Sequence, residues 1–356
     1  MNQATINDVF EGLAARFRAG TLSRATNVLS GAVEPPAAAD MAALPAPGSE
    51  AWQAQREAGL RAIAAGQVGV VILAGGMATR FRYDRPKGLY PIWHGRSFLA
   101  LKLEAVARLG AKVPVYLMTS FATDEGIAAH LAEHACFGLE PGTVHRFQQY
   151  QMPRLAPGGG AYVEDGQPSL AAPGHGDFPY AFKESGQLDA FRAAGGRYLC
   201  FSNVDNLGAT VDPVILGGHL LSGAEMTVEV AAKNPGDQGG APARVDGRLQ
   251  LVEGFAFPPG FDQDRISVFN TANYVFDAEA LARDAELPWY VVEKQVHGEK
   301  VIQFEHLAGD LSTVLATRFV CVPREDRFLP VKNVEDVAGV AEILDRRWAE
   351  KLEAAR

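Results

Sequence analysis

The chain has 356 residues with a formal net charge of −9, and 47% of its residues are hydrophobic and 21% charged. That length supports a large buried core, one large domain plus an appendage. The acid excess argues against a nonspecific nucleic-acid or anionic-membrane binder, so neither is expected as a partner.

In chain order, residues from about Ile6 to Ala19 place Val9, Phe10, Leu13, Ala14 and Phe17 at helical spacing. The Pro- and Ala-rich stretch Val33 to Gly48 reads as a linker or wrapping arm. A second helix, about Ser49 to Ala65, leads into the central stretch, VGVVILAGGMATRFRYDRPKGLYP, Val68 to Pro91. Its short apolar run, Val70 to Leu73, suits a buried strand. Gly75 and Gly76 follow, exposing backbone N–H groups that can cradle phosphate. Arg80 and Lys87 add two fixed positive charges. Neither the P-loop spacing nor G-x-G-x-x-G is present, so a nucleotide triphosphate site of another kind is expected.

A helix over residues 97–110 and a strand over 113–120 follow, the pattern of a parallel sheet with crossover helices. Ligands of such sheets sit at the carboxyl ends of strands, which places Gly75, Gly76 and the stretch Met118 to Phe121 at one edge. VHRFQQYQMPRL, 144–155, reads as a strand with amide-rich turns, where Gln148 and Gln149 offer paired donors and acceptors for a base edge. Around His175, Pro173, Gly174 and Gly176 impose an irregular backbone. There the imidazole, neutral or charged, can donate to a phosphate or hydroxyl. A helix over 185–195 precedes RYLCFSNVDNLGA, a buried strand with Asn203 and Asp205 at its end. An Asp there suits Mg²⁺ ligation beside phosphate oxygens.

Further on, AEMTVEVAAK is a strand, and NPGDQGGAPARVDG is turn-rich, with Gly239 and Gly240. Glu253 interrupts an apolar run, and a buried carboxylate needs partners such as sugar hydroxyls. SVFNTANYVFD reads as the end of one run and the start of another around Asn270, Thr271 and Asn273. Residues 289–310 form a β-hairpin turning at His297-Gly298. Lys332 stands just before a last helix, about Glu335 to Ala355, where the helix start favours phosphate. Cys136, Cys200 and Cys321 lie far apart without zinc spacing. The N-terminus lacks an apolar signal core, and no apolar run is long enough to span a membrane. A cytoplasmic location is expected.

The series LAGG…TR…PKG, LMTSFAT, FQQ…PR, PGHGD, NVDNLGA, LVE, FNTAN and FLPVKN, from about Val70 to Asp336, resembles the UDP-sugar pyrophosphorylase family in the family's own order. The resemblance implies an α/β fold: a Rossmann-like doubly wound mixed sheet of the nucleotidyltransferase, GT-A-like type, with an N-terminal helical extension. It implies an extension over residues 1–66, a catalytic domain over 67–333 and a C-terminal helix over 334–356. The implied reaction is UTP + sugar 1-phosphate ⇌ UDP-sugar + pyrophosphate, with Mg²⁺ and with glucose as the sugar.

By resemblance, Leu73, Gly75 and Gly76 hold the nucleotide and Lys87 and Arg80 the phosphates. Gln149 and the backbone of Gly174 read uracil, with Met118 beside it. His175 lies by the phosphates or sugar, and Asp205 holds the metal. Asn203, Gly240, Glu253, Asn270 and Asn273 contribute further substrate contacts, and Lys332 meets the sugar phosphate and α-phosphate. The wording LAGG…TR and Ala272 within FNTAN depart from the glucose enzymes, so N-acetylglucosamine or galactose stays open as the sugar. A noncatalytic UDP-sugar binder is the alternative from another class.

Overall fold

The computed structural model describes residues 2–110, 112–234, 237 and 239–354, with side chains described up to residue 347. Of the turn-rich stretch after Lys233, Pro235, Gly236 and Gln238 lie outside the described residues, as does the expected helix end at Ala355. The helices that position the site are α1 (Gln3–Arg18), α2 (Glu50–Ala64), α3 (Phe98–Ala107), α4 (Asp124–Glu133), α5 (Phe178–Glu184), α6 (Gln187–Ala193), α7 (Pro213–Ser222) and α8 (Asp336–Ala354). The strands are β1 (Met41–Ala43), β2 (Val68–Leu73), β3 (Val115–Thr119), β4 (Val144–Gln148), β5 (Tyr198–Asn203), β6 (Met226–Ala232), β7 (Ala241–Val245), β8 (Arg248–Val252), β9 (Val268–Asp277), β10 (Tyr290–Val296), β11 (Glu299–Glu305) and β12 (Thr317–Val322).

Eight strands form the central sheet in the order β1-β12-β6-β9-β5-β2-β3-β4. Only β9 runs against the rest. β2 along its whole length and β3 up to Thr119 are apolar because helices cover both sheet faces. Val71, Tyr116, Met118 and Phe201 pack on one face against α1, α5 and α6. Val70, Ile72, Val115 and Leu117 pack on the other against α2, α3, α4 and α7. The ends of β2, β3, β4 and β5 therefore open along one edge, and the reversed strand β9 begins at that same edge.

The stretch read as a linker or wrapping arm is structured. Val33–Glu34 pairs antiparallel with β7, and β1 adds a parallel edge strand to β12. Arg244 clamps the arm through Asp40, Nε to Oδ2 at 2.9 Å and Nη2 to Oδ1 at 2.5 Å. The segment expected as two runs is the single strand β9. Its register shifts against β6, and Ala272 takes φ +57°. Polar side chains close that bulge instead of ending the strand: Asn270 Oδ1 accepts from Ala272 N at 2.9 Å, and Thr271 Oγ1 donates to the Glu229 carbonyl at 2.8 Å. The β10–β11 hairpin turns at His297-Gly298, both at positive φ, as a two-residue turn requires.

Candidate active site

The loop after β2 is closed on itself, Lys87 N donating to the Gly76 carbonyl at 2.9 Å and Ala78 N to the Arg85 carbonyl at 3.2 Å. This brings Lys87 back over the strand end. Ser120, one residue past β3, donates its Oγ to the Gly75 carbonyl at 2.8 Å. Gln149, one residue past β4, donates Nε2 to the Gly174 carbonyl at 2.8 Å. A Cβ at position 75 would sit 2.3 Å from Gln149 Oε1, so only glycine lets the amide lie against this loop. Gly75, Ser120, Gln149 and Gly174 thus form one wall built from three strand ends and a turn. Ser120 was not singled out by its sequence context, although it lies in the expected strand-end stretch.

Lys87 Nζ forms an ion pair with Asp205 Oδ2, with side chains 16% and 24% exposed. The lysine nitrogen lies 5.4 Å from the Phe81 ring centre, on the packed floor of the loop. The Asp205 carbonyl accepts from Val331 N at 3.2 Å, which sets Lys332, exposed, directly after the strand-end loop. Arg324 holds the Asp237 carboxyl below its usual range by hydrogen bonding, and the charge of Lys332 adds to it. Arg80, like Gly76, is exposed on the glycine loop. Leu73 and Asn203 are neighbours across β2 and β5, half-buried at their ends.

Beneath Asp205 the loop is pinned by buried polar groups absent from the sequence reading. Lys102 Nζ donates to Ser202 Oγ at 2.9 Å and to the Ala209 carbonyl at 2.5 Å, and burial pushes its ammonium down to about 7. Arg327 binds Glu229 and Thr210 from the other side. These contacts join residues 98 to 117 apart in sequence, so no local pattern reports them.

A second part of the site is a cavity of about 530 Å³ lined by His175, Glu253, Phe255, Tyr290, Leu307 and Asn27. That size lies within the range of roughly 300–1,000 Å³ usual for small-molecule sites. His175 Nδ1 accepts from Ala308 N at 2.9 Å, and burial followed by the charge of His306 pushes the ring down to about 4. Of the two protonation states open from the sequence, this bond and the burial favour the neutral one. Burial pushes Glu253 up to about 7. Gly240 packs beside this carboxyl, and the Gly240 carbonyl accepts from Asn270 N at 2.8 Å. Asn270 Nδ2 donates to the Tyr274 hydroxyl at 2.8 Å.

Two of the expected contact residues have buried side chains. Asn273 Oδ1 accepts from Asn206 Nδ2 and its Nδ2 donates to the Arg327 carbonyl, both at 3.1 Å. These bonds tie β9 to the loop after Asp205, and Asn273 does not line the cavity that holds His175 and Glu253. Met118 is core, 2% exposed, packed with Tyr116, Phe147 and Phe201 beneath the sheet edge.

The family model described as UTP–glucose-1-phosphate uridylyltransferase matches residues 9–347. The chain belongs to this family. The UTP–glucose-1-phosphate uridylyltransferase of Solanum tuberosum is 32% identical over 287 residues, covering 75% of this chain and 60% of the relative. That of Musa acuminata is 33% identical over 302 residues, covering 76% and 62%. The chain therefore spans about three fifths of the length of the curated relatives it matches. A UDP-glucose phosphorylase structure from Trypanosoma brucei superposes with TM-score 0.76 at 25% identity over 94% of this chain and 74% of that one. A structure of a UDP-N-acetylglucosamine pyrophosphorylase from Entamoeba histolytica gives TM-score 0.79 at 20% identity, covering 88% of each chain, which shows the shared fold. The fold is the nucleotidyltransferase type that the family was expected to bring. Among the described residues, no helix is long and apolar enough to cross a membrane.

Proposed function

We propose that this chain is a uridylyltransferase that joins UTP and glucose 1-phosphate into UDP-glucose and pyrophosphate in the cytoplasm, with Mg²⁺ as its divalent ion. The observation that carries this reading is the meeting, at one sheet edge, of an amide-and-glycine wall, a Lys87–Asp205 pair and a polar cavity, in a chain of this family. We assign residues 67–333 as the catalytic unit, with the extension over 1–66 and the helix over 334–356 as its supports.

Gln149 and the backbone at Gly75 and Gly174 would read uracil by paired donors and acceptors. Gly76, Arg80 and Lys87 would hold the triphosphate. His175 Nε2–H, Glu253, Gly240 and Asn270 would meet the sugar, and Lys332 its phosphate. The sugar phosphate is an anion at neutral pH, so no protein base is required. One of its oxygens forms the new bond to the α-phosphorus in line, the bridging α–β P–O bond breaks, and pyrophosphate leaves with that electron pair. The protein's task is alignment and screening of two polyanions.

The residues fit a magnesium ion. Lys87 engages one carboxylate oxygen of Asp205, leaving the other for the ion. Asp205 belongs to no cluster of three metal-type side chains among the described residues, the one such cluster being His130 and Glu133 of α4 with His134 just after it. Magnesium accepts that arrangement, taking one or two carboxylates and completing its shell with phosphate oxygens and water. When bound, it would shield charge on the phosphates.

The test is a pyrophosphate-release assay with a panel of nucleoside triphosphates and sugar 1-phosphates. Turnover is expected with UTP and glucose 1-phosphate and Mg²⁺. Because the cavity is roomy, N-acetylglucosamine and galactose 1-phosphates belong in the panel as the second reading. No turnover with UTP and any of them, with calorimetric UDP-sugar binding retained, would make the chain a noncatalytic binder.

A further inference from the structure

Asp177 and His306 are 129 residues apart in sequence and meet in the interior, 0% and 1% exposed, with His306 Nε2 2.6 Å from Asp177 Oδ1. The other carboxylate oxygen accepts from Tyr150 N at 2.9 Å. A buried carboxylate with both oxygens committed holds its partner at a fixed place and angle. The His306 ring stacks nearly parallel on Trp289 at 4.1 Å and on Tyr180 at 5.7 Å between ring centres, which fixes its plane.

The backbone around His306 grips the turn that carries His175. His306 N donates to the Pro173 carbonyl, and Gly176 N donates to the His306 carbonyl, each at 2.9 Å. Two residues further on, Ala308 N donates to His175 Nδ1. The approach is so close that a Cβ at Gly174, whose φ is +95°, or at Gly176 would lie 2.5 Å from the His306 backbone. The same turn presents the Gly174 carbonyl to Gln149, so it joins the base wall to the cavity.

We propose that Asp177 and His306 are positioning residues that hold His175 as a neutral donor, with its Nε2–H turned to the sugar-phosphate cavity; this rests on the function proposed above. An imidazole whose Nδ1 accepts a backbone N–H carries its proton on Nε2, and protonating Nδ1 would break that bond. Burial and the nearby His306 charge both disfavour a charged His175. The dyad acts through His175 and touches no substrate. A buried ion pair of this kind is weak support for stability, and orientation is the role its geometry fits.

The test uses the full chain with ¹⁵N-labelled histidine. Long-range ¹H–¹⁵N spectra of the unsubstituted protein at pH 7.5 are expected to show His175 as a single Nε2–H tautomer. His306→Gln and Asp177→Asn, which keep size and hydrogen-bonding groups, should convert His175 to a mixture of tautomers. They should lower kcat with UTP and the accepted sugar phosphate by roughly 10–100-fold, with KM for UTP within about threefold, as misplacement of a positioned group does. A His175 found charged or as the Nδ1–H tautomer overturns the proposal, and so does an unchanged tautomer and kcat in folded variants. Should the variants not fold, the spectrum of the unsubstituted protein alone decides. Should that protein turn over no sugar phosphate, the function reading fails while the tautomer result still stands or falls separately.

Discussion

At the residue scale, charge state decides what each group can do. Glu253 and Asp310 are both buried carboxyls pushed up to about 7, Glu253 by burial alone and Asp310 by burial first with the charge of Glu253 adding to it. A carboxyl with a raised pKa binds more protons folded than unfolded. Its stabilising contribution is full below its unfolded value, near 4.5 for Glu253, and is lost as pH rises through about 7. Glu253→Gln should therefore leave the melting temperature nearly unchanged at pH 5 and raise it by roughly 2–5 °C at pH 8 in the ligand-free protein. Melting curves across that range check it, and an equal shift at both pH values would refute the assignment. Lys332 is the opposite case, an exposed cation directly after Val331, whose N–H meets the Asp205 carbonyl. Lys332→Ala should lower kcat by about 100-fold or more while the melting temperature holds, which steady-state kinetics and calorimetry separate. Gly75, Lys87 and Asp205 were readable beside strand ends from local chemistry, whereas their grouping with His175 and Glu253 into one site came from the family resemblance. His306 was not, since its partners lie 129 residues away and nothing near it in sequence announces them.

At the element scale, β9 shows where side-chain type misleads. An amide in a strand reads the same whether it faces a ligand or ties the strand to its neighbours, and Asn273 bonds Asn206 and the Arg327 backbone. Asn273→Ala would take one partner from each of the Asn206 amide and the Arg327 carbonyl, which still bond each other at 3.1 Å, at a cost of about 0.5–1.5 kcal/mol. The expected result is a lower denaturation midpoint with KM for the sugar phosphate unchanged. A normal midpoint with a raised KM would return Asn273 to the ligand. The parallel strands β2, β3 and β5 were readable because burial on both faces writes long apolar runs. The edge strand β1 was not, because three residues hold no period and its pairing depends on β12, nearly 300 residues on.

At the scale of the whole molecule, the N-terminal extension is part of the cavity's architecture. Phe10 and Phe17 of α1 both pack on Phe304 of β11, at 6.2 Å between ring centres. Asn27 then binds the β10 backbone as a strand would, donating Nδ2 to the Val291 carbonyl at 2.8 Å and accepting from Val291 N at 2.9 Å. Arg24 meets Glu293 on the same strand at 3.3 Å. Asn27, Tyr290 and Val291 all line the cavity with His175 and Glu253, so the extension sets one of its walls. An isolated two-stranded hairpin is marginal in water, which makes that wall depend on what covers it. Asn27→Ala removes both backbone contacts at once and should destabilise by about 1–2 kcal/mol. If the extension shapes the sugar side alone, KM for the sugar phosphate rises several-fold while KM for UTP stays within about twofold, because the hydrogen bonds of Gly75, Gln149 and Gly174 run to Ser120, to one another and to neighbouring turns rather than to Asn27. Parallel titration of the two substrates distinguishes this from a general loss of folded enzyme, which would lower kcat and leave both KM values where they were.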